Sequence, residues 1–295
     1  MALKLRNQKV AVIGLGAIGA PVAVNLAKKG ASVEVWNRSK GALGGAITAG
    51  ATVVEDLAQI DAAIVLTALP DLEQVESVLA NGLQSALKPG DILVVMGTVS
   101  PVAIKQLGIK LNQFGIHLVD APVSGGDVGA QNGTLSIMVG AELEEFEALL
   151  PTFKLIGTTV RHLGPLGTGE MAKACNQIVV AVTLSAIAEA ITLGRNAGLD
   201  IQVLLDILEG GLANSQVLNV KREKIESGDF TPGGSAAFQL KDLNFAIEAG
   251  IETGTALPTT QTVTSLFEAL VAFGDGQLDH SSIIREIERR SKSMN

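Results

Sequence analysis

The chain has 295 residues and carries 22 Lys and Arg against 30 Asp and Glu, for a formal charge of −8. A net acidic chain argues against nonspecific nucleic-acid binding and offers acidic lipids no basic surface, so an anionic ligand needs a local positive site. The single cysteine, Cys175, excludes an intrachain disulfide; it fits a reducing cytosol and is expected as a small core residue.

This length predicts two domains, each with its own core, burying roughly 75% of the unfolded surface between them. Tyr is absent and Trp occurs once, so packing must rest on aliphatic side chains. The first nine residues are polar and lack the charged-then-apolar layout of a signal peptide. The longest apolar run starts at Ile178 and is interrupted by Thr183, Ser185 and Glu189, short of an unbroken membrane span. A soluble, cytoplasmic protein is expected.

In chain order, residues 9–13 form a short apolar run that ends in Gly14-Leu15-Gly16-Ala17-Ile18-Gly19, and 21–29 then has helical spacing. Strand, glycine turn and helix are the context a dinucleotide-binding turn requires. The first glycine makes the tight turn, the second lets backbone approach a pyrophosphate, and the third lets the helix pack closely on the strand. A second strand, 32–36, ends where such folds read the adenosine ribose, and there stands Asn37-Arg38-Ser39 in place of an acidic residue. An acid would repel a 2′-phosphate, whereas an arginine attracts it; NADP is therefore predicted over NAD, with NAD still possible.

Further strands are predicted at 51–54, 62–66 and 92–96, with helices at 72–80 and 102–114 between them. Alternating strand and helix implies a mostly parallel, doubly wound sheet of Rossmann type with ligands beyond the carboxyl ends of its strands. By that rule Leu69, Pro70 and Thr98 are candidate cofactor contacts, though Leu69 and Pro70 read equally well as plain loop residues.

A strand at 117–120 leads into Ala121-Pro122-Val123-Ser124-Gly125-Gly126, then a strand at 133–140. One hydroxyl and several unblocked backbone N–H groups can form an anion nest for a carboxylate, and the same residues also suit a bare tight turn. Residues 142–150 read as an acidic amphipathic helix, and 155–163 lead out of the sheet.

The stretch Gly167-Thr168-Gly169-Glu170-Met171-Ala172-Lys173-Ala174-Cys175-Asn176-Gln177 runs from a glycine turn into a long apolar helix. At about 100° per residue, Gly169, Lys173, Asn176, Gln177 and Val180 share one sector, and Cys175 points away. Taken alone, this fits a snorkelling lysine as well as a catalytic one. The remainder reads as all helix, with members at 214–225, 237–249 and 279–290 and with Lys241-Asp242 in the second of these. Helices this apolar need partners, and a homodimer or homotetramer through this half would supply them. The boundary is expected at 163/164, giving a dinucleotide-binding domain over 1–163 and an all-helical substrate and dimerisation domain over 164–295, joined by a long helix. His117, His162 and His280 have no metal-ligand spacing, and the Gly-x-Ser-x-Gly of serine hydrolases is absent.

Together these motifs resemble the β-hydroxyacid dehydrogenase family, which includes 3-hydroxyisobutyrate dehydrogenases and tartronate semialdehyde, glyoxylate and succinic semialdehyde reductases. Four stretches carry the resemblance in family order: 14–19, 120–126, 167–177 and Lys241-Asp242. It implies an oxidoreductase acting on a small carboxylate-bearing aldehyde or hydroxyacid, and with the Arg38 reading this becomes an NADP-dependent one. It further implies that Lys173 is the general acid and base, that Ser124, Gly125 and Gly126 bind the substrate carboxylate, and that Asn176 helps hold the substrate. Lys241 is implied on the nicotinamide side. Ile18 replaces a usual methionine, Gly97 a common serine, Gln177 a frequent second asparagine in the pocket wall, and Gly234 a usual aromatic. Burial and a nearby cation would bring the lysine toward its working range. Two other readings are an imine reductase, whose members lack the Ser-Gly-Gly motif and the helix lysine, and a non-catalytic dinucleotide-binding scaffold, which would be expected to have lost the lysine.

Overall fold

The computed structural model describes residues 3–39, 42–231 and 233–293. The chain divides into two compact units, Met1–Lys173 and Ala174–Asn295. The division falls inside a helix, later in the chain than the boundary expected at 163/164.

The first unit is built on a nine-stranded sheet. Its strands are β1 (Val10–Ile13), β2 (Val33–Trp36), β3 (Thr52–Val53), β4 (Ile64–Thr67), β5 (Ile92–Val95), β6 (His117–Asp120), β7 (Val123–Ser124), β8 (Leu135–Gly140) and β9 (Gly157–Gly164). Their spatial order is β3-β2-β1-β4-β5-β6-β8-β7, with β9 paired to β8. The first six run parallel in the order of a dinucleotide-binding sheet, in which the strand order switches between β1 and β4. Both faces are covered, so β1 and β5 are apolar throughout and β4 is apolar up to Thr67. Along β1, Val10 and Val12 enter one core while Ala11 and Ile13 enter the other, the period-two alternation of a strand.

The covering helices are α1 (Gly19–Lys28), α2 (Gly44–Thr48), α3 (Leu72–Val78), α4 (Gln84–Ala86), α5 (Ala103–Asn112), α6 (Gly126–Asn132) and α7 (Leu143–Lys154). The last continues past its expected end at 150, through Pro151, and begins in a capping box between Glu142 and Glu145. Residues 157–164, expected only to lead out of the sheet, form β9. Its side chains alternate between half-buried and exposed, and Thr158, Thr159 and Arg161 give it a polar outer face. That leaves too little apolar periodicity for the strand to be read from sequence.

The second unit is helical: α8 (Thr168–Asn196), which begins in the first unit, then α9 (Ile201–Gly210), α10 (Gln216–Ser227), α11 (Ala236–Thr253), α12 (Pro258–Leu270) and α13 (Ile283–Lys292). The starts follow the rules of capping. Asp200, Ser215 and Ser235 each accept a backbone N–H from the first turn of α9, α10 and α11. Left-handed Gly228 and Gly254 end α10 and α11. The core gathers Leu184, Ile191, Leu205, Leu243, Phe267 and Ile283. An ion pair stands beside it, with the half-buried Lys221 Nζ 2.8 Å from Oδ2 of the buried Asp279. The other oxygen of Asp279 accepts the N–H and hydroxyl of Ser281.

By length and composition α8 could cross a membrane, but half of its most apolar window is packed inside the protein, as in a core helix. Its remaining face is mostly apolar and exposed, at Val179, Leu193 and Cys175, with Glu189 among them. The expectation that Cys175 is a core residue is therefore incorrect. Its helical phase, opposite Lys173, had already pointed it away from that side chain, and small size alone did not bury it.

Candidate active site

The last residues of five strands lie in one row. Ile13 pairs with Trp36 and with Thr67, Thr67 with Val95, and Val95 with Asp120. Every loop singled out in the first unit springs from that row. The 14–19 turn follows β1, Asn37-Arg38-Ser39 follows β2, Leu69-Pro70 follows β4, and Gly97-Thr98 follows β5. The 121–126 stretch follows β6. This is the crevice beyond the strand ends where ligands of such sheets bind.

The three glycines of the first turn have separate structural reasons. Gly14 is left-handed at φ +88°, and a Cβ there would meet Leu69 Cδ2 at 2.7 Å and the Ala68 carbonyl oxygen at 2.8 Å. A Cβ at Gly19 would run into the Gly14 carbonyl oxygen, so helix and turn touch backbone to backbone. Around Gly16 nothing lies within 4 Å of such an atom, and Gly16 and Ala17 are exposed while Ile18 is half-buried. Two glycines thus shape the turn, and the middle one leaves an open backbone surface that fits a pyrophosphate at the start of α1.

Asn37 serves this turn directly. Its Oδ1 accepts the Leu15 N–H at 2.8 Å, and its Nδ2 donates to the Ser39 carbonyl and hydroxyl. The side chain clips the end of β2 to the glycine turn, while Arg38 and Ser39 stay exposed. Leu69 packs against the apolar layer under β4 and β5, and Pro70 and Thr98 are half-buried at the loop tips. Asp71, next in line, caps α3 through the Gln74 N–H.

After β6 the chain passes through β7 into two glycines. Ser124 is half-buried, and Gly125 and Gly126 are exposed at φ +124° and +63°. Successive backbone groups turned this way form a concave surface open to an anion. Lys173 belongs to the same unit. It is 8% exposed, and its Nζ donates to the Val123 carbonyl oxygen at 2.9 Å, one residue before Ser124.

The start of α8 is held by a carboxylate far away in sequence. Asp120, wholly buried, accepts the Gly167 N–H on Oδ1 and the Glu170 N–H on Oδ2, both at 2.7 Å. It caps the lysine helix across nearly fifty residues. Burial pushes the Asp120 carboxyl up to about 6, against the opposing pull of the backbone N–H groups of Gly167, Glu170 and Gly169. The fit leaves no room for side chains: a Cβ at Gly140 would run into Oδ1, and one at Gly169 would stand 2.8 Å from Oδ2. Asp120 was legible only as an acid at the end of an apolar strand, and Glu170 only as a first-turn acid suited to any helix dipole.

In the second unit, Asn176 donates through Nδ2 to Gln177 Oε1 at 3.0 Å, and Gln177 donates through Nε2 to Asp242 Oδ2 at 2.6 Å. Gln177 and Asp242 are buried. The Gln177 side chain is thus engaged by helix partners on both of its ends. Lys241 Nζ lies 3.4 Å from Asp242 Oδ1 and over the rings of Phe238 and Phe245 at 5.8 and 5.3 Å. Asp242, the sequence neighbour of Lys241, thus links Gln177 and Lys241.

Two protein families match the chain. Residues 9–164 match the NAD binding domain of 6-phosphogluconate dehydrogenase, and residues 167–287 match the NAD-binding region of NADP-dependent 3-hydroxyisobutyrate dehydrogenase. A 2-hydroxy-3-oxopropionate reductase of Escherichia coli is 38% identical over 95% of this chain and 97% of its own. A 2-(hydroxymethyl)glutarate dehydrogenase of Eubacterium barkeri is 37% identical over 96% of each. Among solved structures, Mycobacterium tuberculosis 3-hydroxyisobutyrate dehydrogenase with L-serine superposes with a TM-score of 0.83. It is 30% identical, with coverage of 95% of this chain and 99% of that one.

Proposed function

This chain belongs to the β-hydroxyacid dehydrogenase family, and on that premise we propose that it reduces a small carboxylate-bearing aldehyde with NADPH, or oxidises the matching hydroxyacid with NADP. The observation that carries this reading is the Lys173 ammonium, buried and fixed 2.9 Å from the Val123 carbonyl, directly beside the Ser124-Gly125-Gly126 turn. A proton donor hydrogen-bonded to the residue just before a glycine turn that can take an anion suits a substrate whose carboxylate lies close to its carbonyl carbon.

The open backbone at Gly16 and the clipped Asn37 fit the dinucleotide, with Arg38 and Ser39 exposed to meet a 2′-phosphate. Bound there, the nicotinamide supplies hydride to the carbonyl carbon in one direction and accepts it in the other. Ser124, Gly125 and Gly126 bind the substrate carboxylate and orient the carbonyl. In reduction, protonated Lys173 donates its Nζ proton to the carbonyl oxygen; in oxidation, neutral Lys173 takes the hydroxyl proton. Such acid–base help contributes roughly 10²–10⁴-fold. The family resemblance assigns Asn176 and Gln177 to the substrate and Lys241 to the nicotinamide, and within their own unit the three are joined through Asp242. Leu69, Pro70 and Thr98 line the cofactor loops. Exposed Val179 and Leu193 of α8 and Val203 and Ile207 of α9 support pairing of copies through the helical unit, which light scattering would read as a dimer or tetramer.

The test is a kinetic panel. Glyoxylate, succinic semialdehyde, tartronate semialdehyde and methylmalonate semialdehyde are assayed with NADPH and NADH, for the wild type, Lys173→Ala and Arg38→Asp. Lys173→Ala should lower kcat by about 10²–10⁴-fold, and unchanged turnover would refute its role. Arg38→Asp should weaken NADPH binding roughly ten- to a hundredfold, the worth of a charge-assisted hydrogen bond. A wild type that prefers NADH would remove the basis for NADP.

A further inference from the structure

A second buried carboxylate stands at the start of α8, and the chemistry above leaves it without a task. Glu170 is 1% exposed. Its backbone N–H is already taken by Asp120, and its side chain reaches out of the helix. Oε2 accepts the Val99 N–H at 3.1 Å, across 71 residues of sequence and wholly inside the protein. Val99 belongs to the loop after β5, next to Thr98. That loop has little freedom on its other side, because Gly97 packs so tightly under Leu69 that a Cβ there would run into the Leu69 carbonyl oxygen. Lys173 follows Glu170 by three residues and therefore shares its side of the helix.

Placing a carboxylate in such a spot is costly unless a hydrogen bond compensates it. An apolar side chain of equal length would fill the space with less desolvation, and the helix needs no second cap once Asp120 is in place. What the carboxylate adds is a fixed distance between the loop after β5 and the third residue of the helix.

We propose that Glu170 is a positioning residue: by accepting the Val99 N–H it locks the Thr98 loop to the turn of α8 that carries Lys173, so that the cofactor side and the proton donor keep one spacing. This rests on the reading of Lys173 as the proton donor and of Thr98 as a cofactor contact. Glu170 itself transfers no proton. Its effect passes through alignment, and a misplacement of about 1 Å in such a site can lower turnover about 10²-fold.

The experiment uses the full chain and the aldehyde turned over fastest in the panel above, with kcat, KM, thermal melting and NADPH affinity measured for three variants. Glu170→Met keeps the volume and removes the acceptor. It should fold, melt near the wild type and keep KM within about threefold, while kcat falls by about 10- to 100-fold. Glu170→Gln retains an amide oxygen that can accept the same N–H, and should recover kcat to within about threefold of wild type. Lys173→Ala serves as the reference. A Glu170→Met enzyme within twofold of wild type, beside an inactive Lys173→Ala, overturns the positioning role and leaves the lysine reading intact. An active Lys173→Ala sinks the lysine reading and this inference with it. Equal losses in Glu170→Met and Glu170→Gln, or a Glu170→Met chain that does not fold, would show that the carboxylate serves structure instead of alignment.

Discussion

Each unit is organised around an aspartate with no exposed surface, and the two behave in opposite ways. Asp120 in the sheet unit meets backbone N–H groups, and burial carries its carboxyl up to about 6. Asp279 in the helical unit is subject to the same burial. The charge of His280, the Lys221 ammonium and the Ser281 hydroxyl outweigh it and bring the carboxyl down to about 2. Peptide dipoles alone do not compensate the loss of water around Asp120, whereas full cations do so for Asp279. A carboxylate that must dock a helix start against strand ends has no room for a lysine beside it. One that ties α10 to the Gly233 N–H does.

The comparison can be broken most severely at Lys221. Lys221→Met leaves Asp279 buried without its ammonium partner, and urea unfolding should show a loss of about 3–5 kcal/mol; a loss under about 1 kcal/mol would mean the pair is not what holds this corner. Asp120 can be tested by pH. Its carboxyl titrates higher in the folded chain than in the unfolded one, so the folded state binds more protons between the two values. Stability should therefore fall as pH rises from about 4 to about 6, the reverse of the usual carboxylate. A change from 3.8 to about 6 corresponds to roughly 3 kcal/mol at most. The readout is the slope: Asp120→Asn should flatten this part of the profile whatever its own stability, and an unchanged slope would place the titration elsewhere. The smallest effect is expected from Gly140→Ala. Its Cβ would collide with Asp120 Oδ1, and overpacking of this kind costs about 1–3 kcal/mol. Calorimetry showing no loss would mean the carboxylate has room to retreat.

The parallel sheet and its binding edge were legible because they rest on local signals: apolar runs of strand length, each followed by glycine, proline or serine. The glycines at 14 and 19 follow from contacts within the turn or with the loop after β4, and the one at 16 from the open backbone that a dinucleotide turn requires. β9 was not legible, since a half-exposed edge strand with threonine, arginine and histidine lacks a pattern strong enough to see. Lys173 could be found from its odd setting in an apolar helix. Its supports could not, because Asp120 acts on residues nearly fifty positions away and Glu170 on one 71 away, and nothing local distinguishes a carboxylate that reaches so far from one that faces solvent. Cys175 failed for a related reason: composition favours burial of cysteine, and only helical phase could have argued otherwise.

The bond from Lys173 to the Val123 carbonyl has a consequence for altering what this protein accepts. That carbonyl and the nitrogen of Ser124 belong to one rigid peptide group. Rotating the plane to reshape the turn for a longer or bulkier acid also swings the oxygen against which the lysine is set. Under the roles proposed for Lys173 and for Ser124, Gly125 and Gly126, selectivity and turnover are mechanically coupled at this point. Variants selected for new acids at 124–126 should trade one against the other, while changes made on α11 leave that peptide plane untouched.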